Sequence, residues 1–484
     1  MNIGMINLVL LLSLPIVAGL FLAAIHKPGI ALKLHAGFAF TEFLAALGLA
    51  FSRPEPTRLF MVDGFTLCLV PLTAFILFTT AWFSHGYLAH DIDTGKIQAR
   101  HLRLWHVLFQ SMALSMYAAL VSNNIGVMWV AVEMATLATV ILVGFYRTHA
   151  ALEAAWKYFL LGSVGIALAL FGTILLYFAA EPLLGQGMNA MTWSRIREVS
   201  SQMDPRLLRL AFVFLLVGYG TKIGFFPLHA WLPDAHAEAP SPMSAALSGL
   251  LLNIAFFALL RGKMVLAGNV AAGMASSLLI LFGLVSLIIA ALMLLRRHDL
   301  KRLLAWSSIE HMGIMGVAFG IGGPLGSFAG LLHMIVHSLV KSGLFFAAGQ
   351  TIQTLGTQKI SKIRGLSASH PRLAILFGLA FLAAAGLPPF GLFTSEITLL
   401  VAATGKSAWL GLALAAGLLI AFAAIILKLS GMLFGEPVEN PPPTHPVAIS
   451  SVPLALHLAI AAILGLFVPG MLWGFMRDAI AMLG

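Results

Sequence analysis

The sequence predicts an all-α polytopic membrane protein of about fourteen transmembrane helices, two of them broken. Three observations predict it. Of 484 residues, 60% are hydrophobic and only 10% charged, with mean hydropathy +0.97. Soluble domains carry about a quarter charged residues. Apolar runs of about 20 residues recur from end to end, each long enough to cross a hydrocarbon core of roughly 30 Å. Two of these runs are interrupted by proline at corresponding places, a pattern seen in inverted-repeat transporters. The alternating segments of about 10 residues that mark a β-barrel are absent.

The elements follow in order. The opening stretch "MNIGMINLVLLLSLPIVAGLFLAAIHKPG" lacks a basic leading region and its apolar part is long enough to span. It reads as the first helix rather than a signal peptide. Spans are expected with centres near residues 13, 40, 75, 113, 134, 168, 218, 252, 283, 312, 338, 387, 418 and 460. The longer polar loops are 86–104, 181–206, 353–371 and 435–447, the last holding the proline-rich connector "ENPPPTHP". The single cysteine, Cys68, lies in an apolar run. It excludes an intrachain disulfide and any multi-cysteine metal or iron–sulfur site made by this chain alone. The net charge of +10 fits Lys and Arg at the inner ends of helices better than nucleic-acid binding, since no basic run carries interleaved aromatics.

With the N-terminus outside, the inside loops carry "HKPGIALK", "GKIQARHLR", "YRTHAALEAAWK", "RRHDLKR" and "QKISKIRG". The outside loops are poorer in Lys and Arg, except 181–209 with its four arginines. The bias places both termini outside, in the periplasm for a bacterial cytoplasmic membrane. The broken spans are "TKIGFFPLHAWLP" at 221–233 and "AAAGLPPFGLFTSEI" at 383–397. They cross in opposite senses, which implies an inverted repeat. The expected organisation is helices 1–3 over residues 1–100 and a first five-helix repeat over 101–268. A second repeat over 269–435 and a last helix over 436–484 complete it.

A charged group at the bilayer centre costs about 2.5–3.5 kcal/mol on insertion scales, so ionisable residues inside spans are functional candidates by default. Glu133 lies in "VMWVAVEMATLATVILVGF" and Lys222 in the first broken helix. His333, His337 and Lys341 recur four residues apart in "LLHMIVHSLVKSGLFF". On a helix they drift about 80° in total and rise about 6 Å per step, so they share one face. Glu396 follows the second break, and His229 and His236 flank Pro233 at the first. Static readings exist for each: a packing histidine, Glu133 as a helix–helix anchor, a fixed Glu396–Lys222 ion pair. The constellation on several spans with symmetric breaks favours proton handling. Burial disfavours a lysine's charged form and an adjacent carboxylate favours it. Moving Glu133 relative to Lys222 therefore switches whether the lysine keeps its proton, with Pro227 opening the helix to water. No Walker loop, zinc motif or nucleophile elbow is present. His333 and His337 on one face are poorly placed as axial haem ligands. No cofactor and no metal is expected.

The stretches "GYGTKIGFFPLHAWLPDAHAEAPSPMSA", "DLKRLLAWSSIEHMG" and "LLHMIVHSLVKSGLFF" resemble the antiporter-like membrane subunits of respiratory complex I, Mrp antiporters and group 4 [NiFe]-hydrogenases, over about residues 60–435. Within that family "VEMATLATVILVGFYRTHAALEAAWKYFLLGSVGIALAL" and "SSIEHMG" are most similar to the hydrogenase-4 component F branch. The resemblance implies fourteen helices with two inverted five-helix half-channels joined by a polar axis. It implies relay roles for Glu133 on the fifth helix, Lys222 on the seventh and Glu396 on the twelfth. His333, His337 and Lys341 take the eleventh. Where complex I subunits place an eighth-helix lysine, this chain has Asn253, which hydrogen-bonds water but carries no titrating proton.

The function this implies is a proton- or Na⁺-translocating subunit of a redox-driven complex. Its expected partners are other membrane subunits of that complex, hydrophilic iron–sulfur and [NiFe]-hydrogenase-like subunits, and lipid. The alternative is an ion-driven energiser of a non-redox antiporter or inorganic-carbon uptake complex. A structural anchor that has lost transport is a third reading, supported by Asn253.

Overall fold

A computed structural model describes residues 3–436 and 449–483. The connector at 439–446 lies outside the described residues. The first half runs α1 (Ile3–Ala24), α2 (Pro28–Phe51), α3 (Gly64–Asp93), α4 (His101–Val121), α5 (Ile125–Val143), α6 (His149–Leu184) and α7 (Pro205–Ile223). A short α8 (Leu232–Glu238) and the long α9 (Ser241–Leu266) follow. Then come α10 (Ala272–Leu295), α11 (Leu300–Ile321), α12 (Gly323–Leu355), α13 (Pro371–Ala384), α14 (Gly391–Lys406), α15 (Ala408–Phe434), α16 (Val452–Leu466) and α17 (Gly470–Leu483).

Polar residues next to apolar runs set many of the boundaries. Asp63, Thr148 and Asp299 cap α3, α6 and α11 by accepting from the backbone N–H groups of Thr66, Ala151 and Arg302 at 2.9, 3.1 and 2.9 Å. Each satisfies a donor that a helix start leaves free. Asn124 caps α5 in the same way through Gly126 and Val127. Pro28, Pro205 and Pro371 stand in the first turns of their helices, where a missing N–H costs nothing.

Ten of the described helices are long and apolar enough to cross a membrane, eleven if the bent pair α16–α17 counts as one span. This is a multi-span membrane protein. The other expected spans coincide with α7, which carries Arg206, Arg209 and Lys222, with α11, which carries Glu310, and with the broken pair α13–α14. Length and apolarity alone therefore do not establish the count of fourteen. The last expected span is not one straight helix. It bends by 70° between α16 and α17, at Pro469, which donates no N–H and disfavours helix at Val468. Several loops are also shorter than expected: α3 runs to Asp93, α6 to Leu184 and α12 to Leu355.

Burial identifies the axis. The apolar stretches of α9 and α12 are wholly buried, whereas 33% of the corresponding stretch is buried in α1, α2 and α15. Polar side chains on α9 and α12 therefore face protein, not lipid. Small residues set how closely helices meet. At Gly283 of α10 an added Cβ would stand 2.6 Å from the backbone nitrogen of Val317 and 2.7 Å from the carbonyl oxygen of Gly313 on α11. Such backbone-to-backbone contact is a main source of association between helices in lipid. Gly283→Leu is expected to cost about 1–3 kcal/mol or more by overpacking. Thermal unfolding in mild detergent measures it, with Gly431→Leu as a control, because nothing lies within 4 Å of a Cβ there.

Candidate functional site

Lys222 sits in the last turn of α7. The helix stops at Ile223 because Gly224 takes a left-handed conformation, φ +85. The lysine side chain is 1% exposed. Its Nζ donates to Thr136 Oγ1 at 2.7 Å and lies 3.4 Å from Glu133 Oε2. Glu133 and Thr136 are three residues apart on α5, so one helix face presents both acceptors. Gly162 of α6 leaves the room for the ammonium, since a Cβ there would stand 3.0 Å from Nζ. Glu133 remains 18% exposed. The predicted Glu133–Lys222 pair is thus formed, and a Lys222–Glu396 pair is not.

The break after α7 is closed by protein. Trp231 Nε1 donates to the Thr221 carbonyl at 2.7 Å, and the Phe226 N–H donates to Ser286 Oγ at 2.9 Å. These bonds satisfy backbone groups that the break releases. The expectation that Pro227 opens the helix to water at Lys222 does not fit this geometry. His229 lies in the break, its ring centre 5.0 Å from that of Trp306, with a buried Nδ1 that has no partner. His236 on α8 is fully buried. Its Nδ1 donates to the Leu232 carbonyl at 2.9 Å, which leaves Nε2 as the free acceptor. Its ring lies 5.7 Å from Phe345, so it packs the first broken region against α12.

Asn253 joins α9 to α12. Its Nδ2 donates to the Met334 carbonyl at 2.9 Å and to Ser338 Oγ at 2.6 Å. A π-helical turn at Leu247–Leu251 precedes it, the kind of irregularity that often marks functional positions. Asn253 Oδ1 is buried without a partner. The asparagine is therefore a helix tie with one acceptor left over.

The densest cluster joins α11, α12 and α14. Lys341 Nζ donates to Ser307 Oγ at 2.6 Å, and Ser307 Oγ donates to Glu310 Oε2 at 3.3 Å. His311 Nδ1 is 3.0 Å from His333 Nε2, and His333 Nδ1 is 2.9 Å from Ser395 Oγ. Ser395 Oγ donates to the Leu392 carbonyl. Tracing donors back from that carbonyl assigns His333 Nδ1 as donor to Ser395 and His311 Nδ1 as donor to His333. His337 stacks on His333 at 6.5 Å and lies 5.3 Å from His311, and neither of its nitrogens has a partner. Glu396 packs against Gly386, which takes φ +67 and has no Cβ to obstruct the carboxyl. The ligand-type atoms of His311, His333 and Glu396 lie within 4.8 Å of one another. A metal there would have to displace the hydrogen bond between the imidazoles, which links His311 through His333 to Ser395.

Sequence reasoning missed Glu310 and His311, 3% and 0% exposed. The available signal was depth: Glu310 is nine residues beyond Lys301 on α11, about 13 Å into the helix. It also missed two further clusters of charged residues. Lys301 donates to the Ala239 carbonyl beside a cavity of about 380 Å³ lined by Tyr87, Lys96 and Glu238. There Asp234 binds Arg302 at 2.6 Å and Lys157 at 3.1 Å. In the other cluster, Arg261 of α9 binds Asp63 at 2.6 Å beside a cavity of about 450 Å³.

The family described as NADH:quinone oxidoreductase/Mrp antiporter, TM, matches residues 122–426. All nine predicted site residues lie in that stretch. A hydrogenase-4 component F homolog of Methylacidiphilum infernorum is 49% identical over 457 residues, covering 94% of this chain and 95% of that one. Among solved structures, a chain of the membrane-bound sulfane sulfur reductase, an archaeal respiratory membrane complex, superposes with TM-score 0.86 at 21% identity, covering 98% and 97% of the two chains. A chain of Thermus thermophilus respiratory complex I with bound NADH gives 0.83 at 23% identity, covering 99% and 100%. At these identities the solved structures speak to the fold.

Proposed function

This chain belongs to the NADH:quinone oxidoreductase/Mrp antiporter family, as an antiporter-like membrane subunit of the hydrogenase-4 and complex I-like kind, and from that premise we propose that it carries protons across the membrane within a redox-driven assembly. The observation that carries the reading is a train of buried titratable groups ending in two lysines, each with a carboxylate at hand. Lys222 has Glu133, Lys341 has Glu310 through Ser307, and imidazoles fill the space beyond. Hydrogen-bonded imidazoles move H⁺ and offer Na⁺ nothing, which favours protons as the ion.

In this reading Glu133 holds the proton of Lys222 in one state and releases it in the other. His229 and His236 connect the first break to the axis. Asn253 tethers α9 to α12 and offers its free Oδ1 to the proton path. Lys341 passes the proton to His337, His311 and His333, and Glu396 receives it at the second break. Separating a buried ion pair costs about 3–5 kcal/mol. Moving one charge against about 200 mV costs a similar amount. The two scales match, as a pump requires.

The same proposal divides the chain into helices 1–3 (1–100), inverted repeats over 101–268 and 269–435, and a closing segment over 436–484. It places the chain in a bacterial inner membrane with periplasmic termini. Electron transfer takes place in hydrophilic iron–sulfur and [NiFe]-hydrogenase-like partners. Isolation of the native complex through a tag on this chain, with mass spectrometry of its partners, tests the assignment. A [NiFe]-hydrogenase-like large subunit with iron–sulfur proteins is the expected result. Recovery of only small antiporter subunits or a soluble carbon-uptake partner would overturn the redox assignment.

A further inference from the structure

A second set of buried titratable residues lies outside the relay, on α2 and α4. His35 and Glu42 are seven residues apart on α2, two turns along one face, about 10 Å. His106, Gln110 and Tyr117 occupy the facing side of α4 over about 16 Å. All five side chains are 0–1% exposed. His35 Nδ1 is 2.9 Å from His106 Nδ1, and the Tyr117 hydroxyl donates to Glu42 Oε2 at 3.3 Å. The Gln110 amide lies between these pairs, beside the Glu42 carboxyl but without a formed hydrogen bond.

The unmet polar atoms carry the argument. His35 Nε2, His106 Nε2, Glu42 Oε1 and both amide atoms of Gln110 are buried without partners. Structural polar groups in a protein interior are almost always hydrogen-bonded. A carboxyl and two imidazoles kept half-satisfied inside a membrane domain are costly, and such groups mark ion pathways. Among the described residues no Lys or Arg pairs with Glu42, and its Oε1 is free to take up or release a proton. A cavity of about 260 Å³ between α1 and α4 reaches Gln110, lined also by Pro15, Gly19 and Ser111. α1 brings no titratable side chain to it, and α3 adds His85, beside Lys33 of α2, near the inner rim. α3 packs against both α2 and α12, and so stands between this set and the central axis.

We propose that α2 and α4 form a separate proton-loading site, in which Glu42 holds the proton and the His35–His106 pair delivers it. The transfer takes a proton from a protonated imidazole to the Glu42 carboxylate through Gln110, and returns it by the same path. It needs no redox step and does not depend on Lys222.

Infrared titration of the complex, isolated through this chain and placed in lipid vesicles, reads the protonated carboxyl directly. The expected result is a carboxyl band that shifts in D₂O and is lost in Glu42→Gln. That band remains in Lys222→Met, which separates this site from the central relay. In His106→Phe the band remains and its deuterium shift is lost. A spectrum unchanged by Glu42→Gln would overturn the proposal, as would a Glu42 band that never exchanges, which would mark a sealed structural hydrogen bond. If Glu42→Gln does not assemble, Tyr117→Phe removes only the hydroxyl beside the carboxyl. The band is then expected to move, and an unmoved band overturns the proposal.

Discussion

Replacing Lys222 with methionine is expected to abolish proton translocation while the chain still folds and assembles. The substitution removes charge and keeps packing. Methionine fills much of the lysine stem's volume, so the space among Thr136, Tyr158 and Gly162 stays occupied. What disappears is the titrating group and its bonds to Thr136 and Glu133. The carboxyl left behind is 18% exposed and can take up a proton, so no uncompensated charge is trapped. Glu133→Ala is the harsher change. It leaves the ammonium, 1% exposed, without its counter-ion, a loss worth about 3–5 kcal/mol for a buried pair. Lys222→Met should thus give normal yield and normal electron transfer with no acidification of vesicles. Glu133→Ala should also lower yield. Proton uptake reported by a pH-sensitive dye, set against turnover in the same vesicles, makes the measurement. Pumping retained in Lys222→Met would show that this lysine is only a structural anchor.

The sequence made some of this site plain and hid the rest, for physical reasons. Glu133 and Lys222 stand out because each is a lone charge in a long apolar run, and no burial information is needed to see them. The i, i+4, i+8 spacing of His333, His337 and Lys341 is equally direct. Glu310 and His311 are less visible, because α11 opens with Lys301 and Arg302 and reads as a helix entering from the interface. Their depth is set by α10, α12 and α14 packing around them, and no local pattern encodes that. Glu42 and His35 were hidden for the same reason: only the pairing of α2 with α4 shows that they face protein rather than lipid. The break at Pro469 was in the letters, yet a short apolar run on each side of a proline also fits one kinked span. Asn253 shows the reverse limit. Its lost charge was legible, while its tie to Met334 and Ser338 depends on where α12 passes.

Glu310→Gln is expected to stop translocation as completely as Lys222→Met, although the sequence alone did not single this residue out. Glutamine keeps the shape and can still accept from Ser307, so the geometry around Lys341 survives and the negative charge does not. Lys341 is 0% exposed and its bonded neighbour is a neutral hydroxyl. With Glu310 neutralised, nothing close by stabilises the ammonium, so a proton on Lys341 becomes costly to hold and the path from Lys341 to His337 stops working. Stability separates this mechanism from a simple defect in folding. Glu310→Ala should lower the yield, because it strands a buried charge at a cost of about 3–5 kcal/mol. Adding Lys341→Met should restore the yield, because the stranded charge is gone, and should leave translocation absent. Groups that share one network are non-additive in this way, and a double-mutant cycle measures the coupling. If the double variant is no more stable than Glu310→Ala alone, Glu310 does not hold the charge of Lys341. Lys341 would then have to draw its counter-ion from Glu396, across His311 and His333.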